Sequence, residues 1–173
     1  MASVVFFRAA NVGGHQRFQP SQLAKALAEF EVVNIGAAGT FVVQANVGTA
    51  KLRSEMLRCL PFKPEMMIYP ARDVLGLVDT DPFCEAPSGK DVTRFVTVLK
   101  HPPKPVPKLP MIFPGSSKWE IQFRALHGPF LLSVRRPGRK DLYPNAVAEQ
   151  YLGLLATTRN WNTIEAVCRV LKS

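Results

Sequence analysis

Apolar residues recur with two different periods through the first half of the chain. Short unbroken runs rich in Val, Ile and Phe are typical of buried strands, whereas apolar residues three or four positions apart indicate the buried stripe of a helix. Pro20 suits the first turn of a helix, and Pro61 ends a second helical stripe. In chain order the pattern predicts a strand at 4–7, a helix at 20–29, strands at 32–35 and 41–43, a helix at 49–60, a strand at 66–69 and a short helix at 71–77.

The first six of these elements follow the order strand, helix, strand, strand, helix, strand. This is the split βαβ arrangement of ferredoxin-like domains. The glycine-rich break at 36–39 separates two β-branched runs, which favours a hairpin and therefore antiparallel pairing. We predict a ferredoxin-like subdomain over residues 1–85.

The second half repeats the theme with less regular spacing. Five prolines in residues 100–110 predict an extended, polyproline-like loop. Residues 162–165 resemble a capping box, so a final helix is predicted to begin there. The other predicted elements are strands at 95–99, 119–123 and 130–134 and a helix within 142–155. The predicted fold class is therefore α+β, with two ferredoxin-like (βαββαβ-type) α/β sandwich subdomains packed side by side over residues 1–85 and 86–173.

Net charge divides the chain more sharply than its composition does. The chain has 22 basic and 13 acidic residues, a net charge of +9. Residues 1–85 hold eight of each, whereas residues 86–173 hold fourteen basic and five acidic residues. Such an imbalance favours an acidic partner, with nucleic acid or a phosphorylated ligand as the leading classes. Basic residues that only solvate one surface are the alternative interpretation.

Cysteine and histidine usage argues against metal and disulfide chemistry. Cys59, Cys84 and Cys168 are odd in number, far apart and without CxxC spacing. The three histidines are equally scattered. We expect no metal site and no cofactor.

The N-terminal apolar run is too short for a signal peptide, and Arg8 ends it. No apolar window approaches the roughly 18 residues of a transmembrane helix. We therefore expect a cytoplasmic protein without a membrane partner.

The densest basic cluster follows the predicted strand at 130–134 and comprises Arg135, Arg136, Arg139 and Lys140. Together with the lysines of the 100–108 loop, these side chains would follow a phosphate backbone. Trp119 and Phe130 lie on neighbouring predicted strands, where aromatic rings serve either as core or as stacking platforms for bases.

Asn11, Gly13 and Gly14 form a second candidate site, directly after the first predicted strand. Glycine-rich turns offer backbone N–H groups to anions. The segment lacks the spacing of a P-loop or a dinucleotide-binding fingerprint. A plain left-handed turn is the alternative interpretation.

Thr158, Arg159 and Asn160 form a third candidate, before or within the start of the final predicted helix. A helix N-terminus attracts phosphate or carboxylate, and an arginine adds a fixed charge. In the alternative, structural interpretation, Asn162 caps the helix, Trp161 packs between the halves and Arg159 pairs with a carboxylate.

Two segments near the N-terminus and one near the C-terminus support a family resemblance. Near the N-terminus, residues 7–14 read F-R-A-A-N-V-G-G and residues 36–42 read G-A-A-G-T-F-V, and near the C-terminus residues 156–164 read A-T-T-R-N-W-N-T-I. They resemble the bacterial family called domain of unknown function 1697 (DUF1697), with its R-G-I-N-V-G-G, S-G-N-V-x-F and T-T-R-N-W-N-T-V segments. The resemblance spans nearly the whole chain and implies two ferredoxin-like subdomains. It implies no activity, because the activity of the family is not settled.

The chain departs from this pattern where the family has small or polar residues. Ala9 replaces a glycine, Ala38 and Thr40 replace the serine and asparagine of S-G-N, and Pro144 stands where a glycine-rich turn leads into Ser-Lys. If those groups form a family site, this chain has lost part of it. The resemblance then implies a divergent member with a changed or purely binding role.

Three hypotheses of function follow. In the first, the basic second half binds a phosphate-bearing or nucleic-acid partner. In the second, the chain is an enzyme or sensor for a small anionic metabolite held between the halves by Arg8, Asn11 and Arg159. In the third, it is a ligand-free interaction module or homodimer, since sheet edges invite pairing. No nucleophile beside a base is recognisable, so no catalytic residue is predicted.

Overall fold

The computed structural model describes residues 1–11, 14 and 17–173. Within these ranges the chain contains five α-helices and nine strands, arranged in two antiparallel sheets. The predicted α+β class, with two sheet-based subdomains, is confirmed. None of the helices in the described ranges is long and apolar enough to cross a membrane.

The chain divides into two compact units. The first comprises residues 1–79 together with 163–173, and the second comprises residues 80–162. A boundary after Glu85 was predicted, close to the end of the first segment, with the final helix in the second half. In the structure most of that helix belongs to the first unit.

The first unit has the strand order of a ferredoxin-like domain. Its elements are β1 (Ser3–Arg8), α1 (Pro20–Ala26), a 3-10 turn at Ala28–Phe30, β2 (Val32–Asn34), β3 (Thr40–Val43), α2 (Thr49–Arg58), β4 (Glu65–Pro70) and α3 (Ala71–Val78). The strands lie in the order β2-β3-β1-β4, and each pair is antiparallel. The central strand β1 is the Val/Phe run of the sequence, and its four apolar side chains are fully buried.

The core of the first unit lies between its sheet and its first two helices. Leu23 of α1 and Leu52 of α2 pack in one cluster with Phe7 of β1 and Phe41 of β3. The ring centroids of Phe7 and Phe41 are 5.2 Å apart, and Phe18 lies 5.5 Å from Phe7. Aromatic side chains therefore fill the space under both helices, and each contributes a large apolar area.

The second unit repeats the same topology with one replacement. Its elements are β5 (Thr93–Leu99), β6 (Met111–Phe113), β7 (Ile121–His127), β8 (Phe130–Arg135), α4 (Pro144–Leu152) and β9 (Ala156–Asn160). The strand order is β6-β7-β8-β5-β9, so β7, β8, β5 and β9 match the four strands of the first unit. The connection from β5 to β7 contains no helix, and in its place lie residues 100–110, which we call the proline segment, and the edge strand β6.

The core of the second unit rests on one helix and this segment. Val147 and Ala148 of α4 are buried against Leu99, Phe123 and Leu131 of the sheet. Side chains from the proline segment and β6 complete the cluster only as partly buried residues: Leu109, Met111 and Phe113. The segment is a loop without helix or strand, as predicted, and it covers the sheet less completely than a helix does.

The final helix begins at Trp161, slightly before the predicted start at 162–165. Residues 156–160 form β9, antiparallel to β5, rather than the approach to a helix. The helix α5 spans Trp161–Lys172. Its cap is Asn160, whose Oδ1 accepts a hydrogen bond of 3.0 Å from the backbone N–H of Asn162. Asn162 was predicted to cap this helix, but it lies within the first turn.

The C-terminal part of α5 packs within the first unit. The Sγ of Cys168 lies 3.9 Å from the carbonyl oxygen of Val74 in α3, and the side chain of Gln44 donates to the carbonyl of Val170. The apolar stripe of α5 explains this placement, because Ile164, Val167 and Cys168 are all buried.

The net charges of the two observed units differ less than those of the two predicted halves. The second unit holds twelve basic and six acidic residues, a net charge of +6. The first holds ten basic and seven acidic residues, a net charge of +3, because α5 brings Arg169 and Lys172 into it. The second unit keeps the larger share of the positive charge.

Candidate anion-binding site

A pocket of about 580 Å³ in the second unit is lined by most of the predicted basic cluster. It lies between the residues that precede β7 and the loop that follows β8. We call it the basic pocket, and its walls include Lys118, Trp119, Glu120, Arg136, Arg139 and Lys140. Four of its lining residues are basic, and Asp91 and Glu120 are acidic, which leaves a net charge of +2.

Glu120 holds the loop that forms one wall of the basic pocket. Its Oε1 accepts a hydrogen bond of 2.8 Å from the backbone N–H of Lys140, and its Oε2 accepts one of 3.0 Å from that of Leu142. The side chain is buried. The two N–H groups, of Leu142 first and Lys140 second, hold the pKa of the Glu120 carboxyl below its ordinary value. The carboxylate is therefore ionised at neutral pH and ties residues 140–142 to the start of β7.

Gly138 allows the loop to approach this carboxylate. A Cβ at Gly138 would lie 2.3 Å from the Cγ of Glu120. That distance is far inside van der Waals contact, so any larger residue at this position must displace the glutamate. The backbone N–H of Arg136 also donates to the carbonyl of Glu120, over 2.9 Å. The loop is thus fixed at both ends to one residue.

Arg136 and Trp119 form a stacked pair on the pocket wall. The guanidinium of Arg136 lies 4.2 Å from the centre of the Trp119 ring, and its Nε donates to the Trp119 carbonyl over 2.8 Å. Such cation–π stacking orients the guanidinium while leaving its outer edge able to bind an acceptor. Trp119 was predicted either as core or as a stacking platform, and in the structure it is partly exposed and stacks on an arginine.

Arg135 lies outside the basic pocket and supports the loop. Its Nε donates to the carbonyl of Leu142 over 2.6 Å, and its guanidinium pairs with Asp141 over 2.6 Å. The same guanidinium lies 4.6 Å from the centre of the Tyr143 ring. Its role is structural, so it differs from the other three members of the predicted cluster.

Arg139 and Lys140 are the exposed cations of the loop. Because the Glu120 carboxylate already accepts the backbone N–H groups of Lys140 and Leu142, an incoming anion would meet side chains rather than these amides. A site built this way attracts phosphate through flexible charges on a fixed loop. Its binding should be strongly weakened by salt.

In the predicted N-terminal site, Asn11 and Gly14 line a pocket of about 490 Å³ together with Arg17. The Nδ2 of Asn11 donates to the carbonyl of Ala37 over 2.9 Å, and its Oδ1 accepts from the backbone N–H of Phe18 over 3.0 Å. Asn11 has a φ of 56°, and Gly14 has a φ of 79°. This geometry is that of the left-handed turn given as the alternative. Gly13 lies outside the described residues.

Two of the family-like segments meet in this part of the first unit. The backbone N–H of Phe7 donates to the carbonyl of Gly39 over 2.7 Å. A Cβ at Gly39, which has a φ of 75°, would lie 2.7 Å from the Cβ of Phe7. The glycine is required for both reasons. Arg8 is half-buried at the end of β1.

The predicted C-terminal site lies on β9. Arg159 is buried, and its Nη1 donates to the Oγ1 of Thr157 over 2.7 Å and to the carbonyl of Thr158 over 3.0 Å. Burial lowers the pKa of Arg159 to about 10, so the side chain remains protonated at neutral pH. The Oγ1 of Thr158 lies 2.9 Å from that of Thr97 on β5, and Asn160 caps α5. These contacts favour the structural interpretation of the segment over the ligand-binding one.

Sequence reasoning missed three residues that shape the basic pocket: Lys118, Glu120 and Gly138. Glu120 stands at a polar position of the predicted strand at 119–123, and its burial in the structure is not apparent from the sequence. The only local signal was the Pro-Gly pair at 137–138, which marks a sharp turn after the second arginine. Among the described residues, no group of three His, Cys, Asp or Glu side chains is placed to hold a metal ion.

Comparison with known proteins gives a match to the fold. A solved structure described as a conserved bacterial protein from Streptococcus pneumoniae superposes with a TM-score of 0.63 and 13% identity, covering 98% of each chain. At this identity the likeness concerns the fold alone. No family model matches the chain, and no curated protein matches it.

Proposed function

We propose that the protein binds a phosphate-bearing partner through the basic pocket of the second unit. One observation carries the proposal: the buried Glu120 carboxylate fixes a loop on which Arg139 and Lys140 are exposed. Arg136 and Lys118 line the same pocket. A fixed backbone that presents several cations matches the chemistry of phosphate recognition.

The size of the pocket supports a ligand that carries more than a phosphate. Pockets for small ligands have volumes of about 300–1,000 Å³, and the basic pocket, at about 580 Å³, lies within this range. A phosphorylated small molecule and one nucleotide of a single strand both present the shared chemistry. Trp119 in the wall would contact a base or another flat group beside the phosphate.

Fluorescence anisotropy of a labelled single-stranded oligonucleotide, of about 12 nucleotides, tests the proposal across a salt series. Binding should weaken with salt, with a slope of about 0.7 per neutralised phosphate. The variant Arg139→Ala/Lys140→Ala should lower that slope by about 1.4 and weaken binding about tenfold at low salt.

The matched control is Lys25→Ala/Lys63→Ala, which removes the same charge from exposed positions of the first unit. It should leave the slope nearly unchanged. Inorganic pyrophosphate, measured by calorimetry, distinguishes the two sources of phosphate, since a site for small molecules would bind it without binding the oligonucleotide. Absence of binding to both probes at low salt would overturn the proposal, as would equal losses in the two variants.

We further propose that the chain is a divergent member of DUF1697. The segments that resemble the family have dense internal contacts: Asn11 with Ala37, Phe7 with Gly39, and Arg159 with Thr157. Such contacts give a physical reason for a family to retain these residues. Alignment of homologues that connect this chain to the family would test the proposal, and failure to align Arg159 and Asn160 would contradict it.

A further inference from the structure

The proline segment leaves a second pocket in the second unit, apart from the basic pocket. It has a volume of about 860 Å³ and lies between the proline segment, β6 and the end of α4. We call it the proline pocket, and its lining includes His101, Lys104, Lys108, Met111, Tyr151 and Leu154. None of these residues lines the basic pocket.

The position of the proline pocket follows from the topology. In the first unit, α1 lies in the connection between the first two strands and packs on the core. The equivalent connection in the second unit is the proline segment, which contains no helix and so has no apolar helical stripe to bury. Met111 and Leu154 therefore remain only partly covered at the edge of the core. Tyr151 is 59% exposed, and its ring centre lies 4.5 Å from that of Phe113.

The lining combines an apolar floor with cations. Prolines, Met111, Tyr151 and two leucines supply the apolar surface, whereas Lys104 and Lys108, both exposed, supply positive charge. Among the described residues that line the pocket, none is acidic. An apolar body alone would gain nothing from the lysine charges, and a compact inorganic anion would leave the floor exposed to water.

We propose that the proline pocket binds an organic anion with an apolar body, of the class of medium-chain or aromatic carboxylates. The apolar body covers the floor beside Met111 and Tyr151, and the carboxylate lies near Lys104 and Lys108. Burial of the apolar body provides most of the affinity, and the lysines select its charge. This site is independent of the proposed phosphate site.

Calorimetry with decanoate tests the proposal on the full chain. Decanoate should bind saturably with one molecule per chain. Hexanoate should bind at least tenfold more weakly, since each buried methylene contributes about a fourfold gain in affinity. Decanol shares the chain but lacks the negative charge, so it should bind about threefold more weakly than decanoate, and the cationic decyltrimethylammonium should bind more weakly still.

A charge-reversal variant locates the site. Lys104→Glu/Lys108→Glu should lower the affinity for decanoate about tenfold. Lys104→Gln/Lys108→Gln, which only neutralises the two charges, should lower it about threefold. The glutamine variant is the test if the glutamate variant fails to fold. Lys25→Glu/Lys63→Glu makes the same charge change at exposed positions of the first unit and should have little effect. Inorganic pyrophosphate should not displace decanoate.

Several results would overturn this proposal. They are the absence of saturable decanoate binding, equal affinity for decanol, or equal losses in the glutamine variant and a matched Lys25→Gln/Lys63→Gln variant. Displacement of decanoate by pyrophosphate would also overturn it, because the two ligands would then share the basic pocket. Loss of oligonucleotide binding alone would contradict only the proposed phosphate site.

Discussion

The two units share a strand order but differ in what covers their sheets. In the first unit, two helices and a group of phenylalanines close the core around Phe7, which is fully buried. In the second, α4 covers part of the sheet and the proline segment covers another part through half-buried side chains. The surface pockets of the first unit beside α1 have volumes of about 440 and 490 Å³. The basic pocket and the proline pocket of the second unit are larger, at about 580 and 860 Å³.

The two units also differ in whether their polar side chains are used in internal contacts or remain exposed to bind a ligand. The polar residues of the N-terminal motif are used in internal contacts, as Asn11 shows by bonding to both Ala37 and Phe18. In the second unit, by contrast, Glu120 and Arg135 satisfy the backbone of a loop and leave Arg139 and Lys140 exposed. Position on a fixed loop, rather than the number of charges, marks the candidate site.

Truncating a phenylalanine in each unit should give the largest effects. Phe7→Ala should lower the free energy of unfolding by about 3–5 kcal/mol, because it empties a fully buried aromatic position. Phe113→Ala should cost only about 1–3 kcal/mol, because the ring is partly exposed. Urea unfolding measures both values. Equal costs would contradict the conclusion that the proline segment and β6 cover their sheet less tightly.

Alanine at two close-contact glycines should separate folding from binding. Gly39→Ala and Gly138→Ala should each cost about 1–3 kcal/mol, since the new Cβ overlaps Phe7 in one case and Glu120 in the other. Only Gly138→Ala should also weaken oligonucleotide binding, because it displaces the carboxylate that holds the basic loop.

The controls for this pair are Gly36→Ala and Gly115→Ala, where a Cβ would meet nothing within 4 Å. Gly36 has a φ of 73°, so its substitution carries backbone strain alone, of about 1 kcal/mol. Thermal melts and anisotropy measure both properties. If Gly138→Ala melts lower but binds the oligonucleotide normally, the loop geometry is not needed for binding.

A smaller, pH-dependent contribution to stability should come from Glu120 in the second unit. The pKa of Glu120 is lower in the folded chain than its ordinary value near 4.5, so its ionisation stabilises the fold above that pH. This stabilisation is lost as the pH falls through the folded-state pKa. Glu120→Gln removes it, because one of the two acceptor oxygens becomes an NH₂ group, which cannot accept a hydrogen bond from a backbone N–H.

The difference in melting temperature between the native chain and Glu120→Gln should therefore be largest at neutral pH and shrink below pH 4.5. Glu29→Gln, at an exposed position of the first unit, provides the control and should differ little from the native chain at either pH. A difference for Glu120→Gln that stays constant down to strongly acidic pH would contradict the role given to its carboxylate.

Most of the first unit could be predicted from its sequence, because its elements bury apolar residues at regular spacing. β9 could not, since Ala-Thr-Thr-Arg-Asn has little apolar character. It pairs with β5, and the Oγ1 of Thr158 lies 2.9 Å from that of Thr97, so its strand partners are distant in sequence. β6 is three residues long and follows a proline, so no period could reveal it.

The candidate site was predictable in composition but not in geometry. The run at 135–140 identified the basic loop. Nothing in the run distinguishes Arg135, which pairs with Asp141, from Arg139, which is exposed. Glu120 is buried because the loop after β8 folds back on it and donates the N–H groups of Lys140 and Leu142 to its carboxylate. The pattern of apolar and polar residues around Glu120 does not predict this contact.

The central claim is that phosphate binds at the basic pocket of the second unit, and the two tryptophans allow a direct test of it. Trp119 lines the basic pocket, whereas Trp161 begins α5, is buried and packs edge-on against Phe83 at 5.1 Å. A chain labelled with ¹⁵N-tryptophan gives two indole N–H signals, which Trp119→Phe assigns. On titration with the oligonucleotide or pyrophosphate, the signal of Trp119 should move and that of Trp161 should stay. Movement of Trp161 with Trp119 unchanged would contradict the account and direct attention to β9.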